Sequence, residues 1–411
     1  MRFLIPMVLA VVSLPVWAAP ATVAVSFDRN RIRPVLAEGE ADRATHRLVT
    51  ADDPVRIASI SKLVTALGVL RLVDAGKLDL DRDVSGYLGY RFRNPAFPDR
   101  KITLRLLLSH QSSLLDGADR YIIPLGESLQ QRLTDPALWD TAHPPGSGWF
   151  HYTNLNFPVV ASVMERVTGE RFDRLMQRLV LRPLRLDACF NWSGCSATAT
   201  GRAVVLYRAT GEVAKDDLSG ALPACLVVPA SDGSCDLSSY ELGTNGALFS
   251  PHGGLRISMR DLAKIGRLLA RRGQGFLSRK SFAELSAPQW RFDGRNGVGE
   301  DSTASGFFCG YGLAVQSIGA GGPGCHDDLF GDGRTRVGHA GDAYGLRSGL
   351  WIDPVTGRGL AFFTSAVPDA APKGRSAFTA AEESAVERAT GAAARRQNAP
   401  TQAITVNLLQ P

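Results

Sequence analysis

Apolar residues recur every three or four positions through Leu63, Ala66, Leu67, Leu70 and Val73. That spacing predicts a helix from Ser59 to Ala75 with one apolar stripe, closed by Gly76 as a left-handed cap. Leu262, Ile265, Leu268 and Leu269 share a face in the same way, which predicts a helix over Met259–Ala270 capped by Ser258. Shorter helical patterns cover Leu104–Ser109, Asn156–Val167 and Phe172–Leu181, and a last one covers Ala380–Ala394. Residues 20–56 alternate short apolar runs with charged breaks, as strands do. After Phe307 the pattern turns strand-like again, in Phe307–Val315, Thr335–His339, Ser348–Asp353 and Leu360–Ser365, with Gly-rich turns between. Pro144-Pro145-Gly146 marks a turn just ahead of Tyr152. The order is strands, many helices, strands, one helix. It predicts a sheet built from both chain ends, 20–75 and 300–395, with a mostly helical domain, 76–299, inserted between them. Within the insert, 187–250 reads as a Cys-containing insertion whose clearest strand character is Leu226-Val227-Val228. A polar tail, 396–411, follows.

Composition narrows the function classes. The net charge is +6, from 46 Lys and Arg against 40 Asp and Glu, but the basic residues are scattered and form no long run. No nucleic-acid partner is expected from that distribution. Residues 1–19 read as a secretory signal: Arg2, an apolar stretch, then small residues at Val16-Trp17-Ala18 or Trp17-Ala18-Ala19. Pro6 and Pro15 interrupt the stretch, which falls short of the about 18 uninterrupted apolar residues of a membrane span. No Cys follows the cleavage site, which argues against a lipid anchor. An exported protein, periplasmic or secreted, with no stable membrane anchor is expected. Six cysteines remain, an even number that suits disulfides in an exported chain. Nearest-neighbour pairing, 189–195, 225–235 and 309–325, is the expectation among the about 15 pairings that six cysteines allow, a choice the sequence does not decide. No Cys-x-x-Cys spacing occurs, so a metal site is not expected, and neither is an organic cofactor.

Three short motifs carry candidate chemistry: Ser59-Ile60-Ser61-Lys62, Tyr152-Thr153-Asn154 and His339-Ala340-Gly341. A Ser and a Lys three apart share one helix face. Ser59 at the first turn lies where the helix dipole favours an attacking alkoxide. A Ser hydroxyl needs a base, and a Lys, with its ordinary pKa at about 10.4, serves as one only if burial or a cationic neighbour lowers that value. Tyr152 is the second base candidate, because its phenolate is favoured beside a protonated Lys62. The sequence leaves the proton between these two unassigned. Only Lys62 has a Ser three residues before it, and only Tyr152 has an Asn two residues after it. His-x-Gly occurs twice, at His252-Gly253-Gly254 and at His339-Ala340-Gly341. The second lies in strand-like sequence and is the candidate, while the first reads as structural. No Gly-x-Ser-x-Gly elbow occurs, which argues against an α/β-hydrolase.

The ordered set resembles the serine β-lactamase and penicillin-binding-protein superfamily. More narrowly, it resembles the branch of class C β-lactamases, D-alanyl-D-alanine carboxypeptidases and carboxylesterases. Leu106 through Leu114 is similar to that branch's "LLTHTSGL" segment, Pro145-Gly146 through Asn154 to its "PPG…YSN" segment, and Gly253 through Leu262 to its "GGL-ST-DL" segment. The resemblance runs from Val23 to Val386, and 187–250 fits it poorly. It implies an α/β (α+β) fold of β-lactamase type, an antiparallel sheet flanked by helices plus an inserted mostly helical domain. It implies Ser59 as acylated nucleophile, Lys62 and Tyr152 as the proton-handling pair, and Asn154 as a substrate-binding amide. The third motif, His339 to Gly341, would line the substrate site, with an oxyanion hole from the N–H groups of Ser59 and Asp342.

The chain departs from β-lactamases of the branch where they carry Lys-Thr-Gly. His339, with an ordinary pKa of about 6.5, is mostly neutral at neutral pH, and Ala340 lacks a hydroxyl. Anionic substrates would then be held weakly unless Arg336 or Arg347 substitutes. A peptidase or esterase acting on a small-molecule, peptide or cell-wall-derived substrate is expected. A β-lactamase is the alternative, and a catalytically silent penicillin-binding sensor the alternative of another class. His110 reads as a structural polar residue in the turn after a helix. The stretch from His326-Asp327-Asp328 to Asp332 reads as a solvated loop rather than a Ca²⁺ site, since EF-hand spacing is absent. Trp149 and Phe150 could line the site or pack in the core.

Overall fold

In the computed structural model the described residues are 19–298 and 306–398. Residues 1–18 of the expected leader and 399–411 of the expected tail lie outside them. Eight antiparallel strands form the main sheet, in the spatial order Trp290–Arg291, Gly310–Tyr311, Gln316–Ile318, Arg336–Ala343, Leu346–Ile352, Gly359–Thr364, Thr22–Phe27, Ile32–Glu38. Thr22 pairs with Thr364 and Phe27 with Gly359, so the first strand seats between the last strand and the second.

Both faces of the sheet are covered. Val23, Val25, Phe27, Leu350 and Phe363 point into one core. Ala24, Trp351, Leu360 and Phe362 point into the other. This is the period-two alternation of strands, with apolar residues at both phases because helices lie on both sides. The amphipathic Met259–Ala270 helix covers the first face, and Ala380–Asn398 covers the second. The first helix approaches closely at Gly266, where a Cβ would stand 2.2 Å from the Phe27 ring. The sheet thus draws its outer strand, Trp290–Arg291, and one covering helix from inside the 76–299 stretch.

The Ile60–Asp74 helix lies at the junction between this sheet and the helical region, and it is buried on every side from Ile60 to Leu70. The apolar stripe in its sequence therefore marks only part of its buried surface. Phe172–Leu181 starts as an α-helix to Met176 and continues as a π-helical turn over Gln177–Leu181.

Several expectations need correction. Phe307–Val315 is not one strand: only Gly310–Tyr311 pairs, and Ala314 has a positive φ that turns the chain. Leu226–Val228 is irregular, since its only ladder-like contact is Leu125 N–H to the Val228 carbonyl. The strands in that section are instead Leu206–Tyr207 with Val213–Lys215, and Cys189–Phe190 beside Leu255–Ile257. Asp327 is not in a solvated loop: it is buried, and Gly319 N–H donates to its carboxylate. Phe150 is a core residue stacked on Trp290, while Trp149 stacks on His143. The cysteines pair as sequence neighbours: 189–195, 225–235 and 309–325.

Candidate active site

The strand Val55–Arg56 pairs with Leu255–Ile257 and delivers the chain to the buried helix. Ala58 adopts φ 49°, a left-handed conformation unusual for a residue with a Cβ. Ser59 follows at the helix N-cap, but its side chain makes no capping bond. Its Oγ instead accepts from Lys62 Nζ at 2.9 Å, as the i, i+3 spacing requires. Ser61, the other serine of the motif, is fully buried and accepts from Leu255 N–H, so it belongs to the scaffold.

Lys62 Nζ faces three oxygens: Ser59 Oγ, Asn154 Oδ1 at 2.7 Å and the His252 carbonyl at 3.1 Å. Three acceptors suit an ammonium with three N–H donors. Asn154 is oriented from behind by Asp116, which accepts from Asn154 Nδ2, Asn154 N–H and Leu155 N–H, each at 2.9 Å. Burial pushes the Asp116 carboxyl above its ordinary value, and those N–H donors and Lys62 work in the opposite direction.

The Tyr152 ring stands beside Lys62, with Nζ 4.7 Å from the ring centre. It is sandwiched by His110 at 4.4 Å and Phe308 at 4.7 Å. His110 Nδ1 accepts from Thr153 N–H, so the neutral ring carries its proton on Nε2. Burial and the Lys62 charge hold His110 well below the usual histidine value. His110 thus positions Tyr152 and Thr153 from the turn after the Leu104–Leu108 helix, a structural role.

His339 is 1% exposed, and burial followed by the Lys62 charge brings its pKa down to about 3. Its Nδ1 lies 2.6 Å from the Ala340 carbonyl and its Nε2 2.7 Å from Tyr311 Oη. The carbonyl can only accept, so Nδ1 carries the proton and Nε2 accepts from Tyr311. His339 therefore supplies no positive charge. Neither arginine named as a substitute stands ready: Arg336 is bound to Asp332, and Arg347 is paired with Asp342. Gly341 presses on the segment that leads to Ser59: a Cβ there would lie 2.4 Å from the Ile57 carbonyl oxygen. That contact aligns the Arg336–Ala343 strand, with Asp342, alongside Ser59.

Ser59 sits between two cavities. The larger, about 580 Å³, is also lined by Arg56, Asn154, Asp216, Arg256 and Tyr344. The smaller, about 250 Å³, is also lined by Tyr152, Phe308, His339, Gly341 and Asp342. Of the other six residues singled out from sequence, Lys62 contacts the Ser59 hydroxyl, and Tyr152, Asn154, His339, Gly341 and Asp342 line cavities that Ser59 also lines. Sequence reading missed Asp116, the His252 carbonyl, Tyr311 and Arg56. None sits in a recognisable spacing, although Arg56 lies one helical turn before Ser59 in number. Among the described residues no group of His, Cys, Asp and Glu is placed to hold a metal ion.

A buried helix that opens with a serine, an amine one turn on, and an antiparallel sheet closing the other wall define a serine-centred fold of the β-lactamase and penicillin-binding type. The family described as Beta-lactamase matches residues 16–384, and the chain belongs to it. It is 35% identical over 167 residues to Esterase EstB of Burkholderia gladioli, covering 37% of this chain and 42% of that protein. It is 30% identical over 137 residues to D-alanyl-D-alanine-carboxypeptidase/endopeptidase AmpH of Escherichia coli (strain K12), covering 32% and 35%. The matched stretch spans less than half the length of these curated relatives. D-amino acid amidase from Ochrobactrum anthropi SV3 shares the fold, with a TM-score of 0.62 at 18% identity over 92% of this chain and 94% of that one.

Proposed function

We propose that this protein is an exported serine hydrolase that cleaves esters or peptide-type amides through an acyl-enzyme on Ser59. One observation carries the reading: Ser59 Oγ, released from capping, lies 2.9 Å from Lys62 Nζ in the wall between two cavities. With three acceptors around it, Lys62 acts as the charged partner, and Tyr152, whose ring stands beside it, acts as the base. Tyr152 takes the Ser59 proton as Oγ bonds to the substrate carbonyl carbon. The N–H groups of Ser59 and Asp342 receive the oxyanion. Tyr152 then passes the proton to the departing oxygen or nitrogen as its bond to carbon breaks. Water attacks the ester next, its proton returns to Ser59 Oγ by the same route, and the free acid leaves.

A neutral His339 favours ester or peptide substrates over β-lactams, whose carboxylate would meet no charge from the third motif. The names of the relatives, an esterase and a carboxypeptidase/endopeptidase, support the same reading. Export is supported by the leader-like residues 1–19 and by the three disulfides. In addition, no described helix is long and apolar enough to cross a membrane.

The test is fluorophosphonate labelling with intact-mass detection, beside turnover of p-nitrophenyl esters, D-amino-acid peptides and cephalosporins. Wild type should label at Ser59 and hydrolyse esters or peptides faster than cephalosporins, and Ser59→Ala should not label while melting near the wild-type temperature. Labelling that survives Ser59→Ala overturns the assignment. A label that forms with every substrate and never turns over marks a sensor instead.

A further inference from the structure

The larger cavity is lined by a buried cation, Arg56, that makes no ion pair of its own among the described residues. Arg56 and Arg256 are directly opposite each other on the paired strands Val55–Arg56 and Leu255–Ile257. Like charges in that relation repel unless something neutralises them. Arg256 is neutralised: its guanidinium donates to Asp216 at 2.9 Å, to Asn191 Oδ1 at 2.7 Å and to the Gly254 carbonyl. Asp216 is in turn fixed by Trp192 Nε1. One carboxylate thus serves two guanidiniums, and the cluster keeps a net positive charge. Arg56 is 9% exposed, its Nε is buried with no acceptor, and among the described residues it makes no ion pair. The Tyr344 ring lies 5.0 Å from the guanidinium carbon, and Asp216, hydrogen-bonded to Arg256, acts on Arg56 only through its charge. Burial and the neighbouring Arg256 bring the Arg56 pKa down to about 10, which still leaves it charged at neutral pH.

A buried, charged guanidinium with open donors is costly unless an anion completes it. Its planar fork fits a carboxylate with two parallel hydrogen bonds. The other charges of the cavity are committed or peripheral. Arg208 faces Asp369, Asp342 faces Arg347, and Lys215 and Asp217 are exposed at the rim. Ser59 and Arg56 line the same cavity, so a substrate bonded to one can reach the other.

The side of the scissile bond follows from the reaction proposed above, on which this inference rests. Tyr152, the proton donor to the leaving group, lines the smaller cavity, so the leaving group departs there. The acyl part then occupies the larger cavity with Asn154 and Arg56. We propose that Arg56 is a specificity-determining residue that selects acyl groups bearing a carboxylate several bonds from the scissile carbonyl. The third motif lacks a cation, and Arg56 supplies one from the larger cavity, while Arg347 in the smaller cavity is paired with Asp342.

The test compares two matched esters, mono-p-nitrophenyl adipate and p-nitrophenyl hexanoate, which share chain length and leaving group and differ in the terminal carboxylate. Wild type should favour the adipate ester by at least about tenfold in kcat/KM. In Arg56→Gln that preference should collapse, through KM for the anionic ester, and Arg56→Lys should restore part of it. Adipate dianion should also protect wild-type Ser59 from fluorophosphonate, whereas hexanoamide should not. This second measurement needs no variant, so it decides the matter if Arg56→Gln fails to fold. An ester ratio near one in wild type, a ratio that survives Arg56→Gln, or equal protection by both ligands overturns the inference. Labelled Ser59 with no preference fails this inference alone. No labelling and no turnover of either ester fails the hydrolase reading and takes this one with it.

Discussion

Gly341→Ala adds one methyl group where two walls of the site meet. On the existing backbone that methyl would stand 2.4 Å from the Ile57 carbonyl oxygen, 2.4 Å from Ser348 Oγ and 3.4 Å from Ala58 Cβ. Ser348 can rotate, although it would give up its 3.1 Å bond to the Ile57 carbonyl. The Ile57 oxygen belongs to the backbone two residues before Ser59 and cannot turn aside. A carbon–oxygen contact settles at about 3.3 Å, so the strand and the Ile57–Ser59 segment must part by roughly 0.9 Å. Those are the two segments that carry the proposed oxyanion donors, Asp342 N–H and Ser59 N–H. Such donors act only within a few tenths of an ångström of their proper place, and loss of one is worth about 2.7–4 kcal/mol, or roughly 10²–10³ in kcat. Overpacking of this size costs about 1–3 kcal/mol of stability, which a folded chain can absorb. Steady-state hydrolysis of a p-nitrophenyl ester, run beside a thermal melt, measures both. The expected result is a folded variant whose kcat drops by two to three orders of magnitude. A folded Gly341→Ala with near wild-type kcat would refute the argument, because the oxyanion donors could not then depend on this contact.

Two further outcomes follow from the buried polar groups. Asp116→Asn puts an NH₂ where a carboxylate oxygen accepts from Asn154 and Leu155. One N–H is left facing a donor, at about 1–2 kcal/mol for this half-buried group, and Asn154 loses its grip on Lys62. We expect kcat to fall about 10–100-fold, and unchanged ester kinetics would remove Asp116 from the site. Acid sensitivity is the second outcome. His339 binds its proton at about 3 in the folded chain against 6.5 when unfolded, and burial depresses His110 and His252 in the same direction. Between those values the unfolded chain holds more protons, so stability rises with pH across that window and is flat above it. For His339 alone, moving from pH 7 to pH 4.5 removes about 2–3 kcal/mol. Urea unfolding at the two pH values should show that loss, reduced in His339→Gln. Equal stability at both would contradict a neutral buried imidazole.

What was legible in the sequence was what short-range geometry controls. Three residues of separation on a helix force Lys62 toward Ser59, whatever surrounds them. Cysteines six to sixteen residues apart close onto their neighbours because short loops are the easiest to close. Amphipathic periodicity marked the Met259–Ala270 helix because it lies on a sheet with one side toward the core. The same logic failed at Phe307–Val315 and Leu226–Val228, where apolar character came from core packing without a partner strand. Asp116, Tyr311 and the His252 carbonyl carry no motif, since each acts through one contact reached only after distant segments converge. The charge state of His339 and the under-compensated charge of Arg56 are likewise properties of burial: a side chain is titrated by its surroundings, and those are assembled from distant parts of the chain, 190 residues apart for Lys62 and the His252 carbonyl. Local order along the chain determined which groups could react, and the packing of the whole chain decided which of them are charged, which are paired and which face the cavities. Desolvation and hydrogen-bond partners exist only once the chain has closed around them.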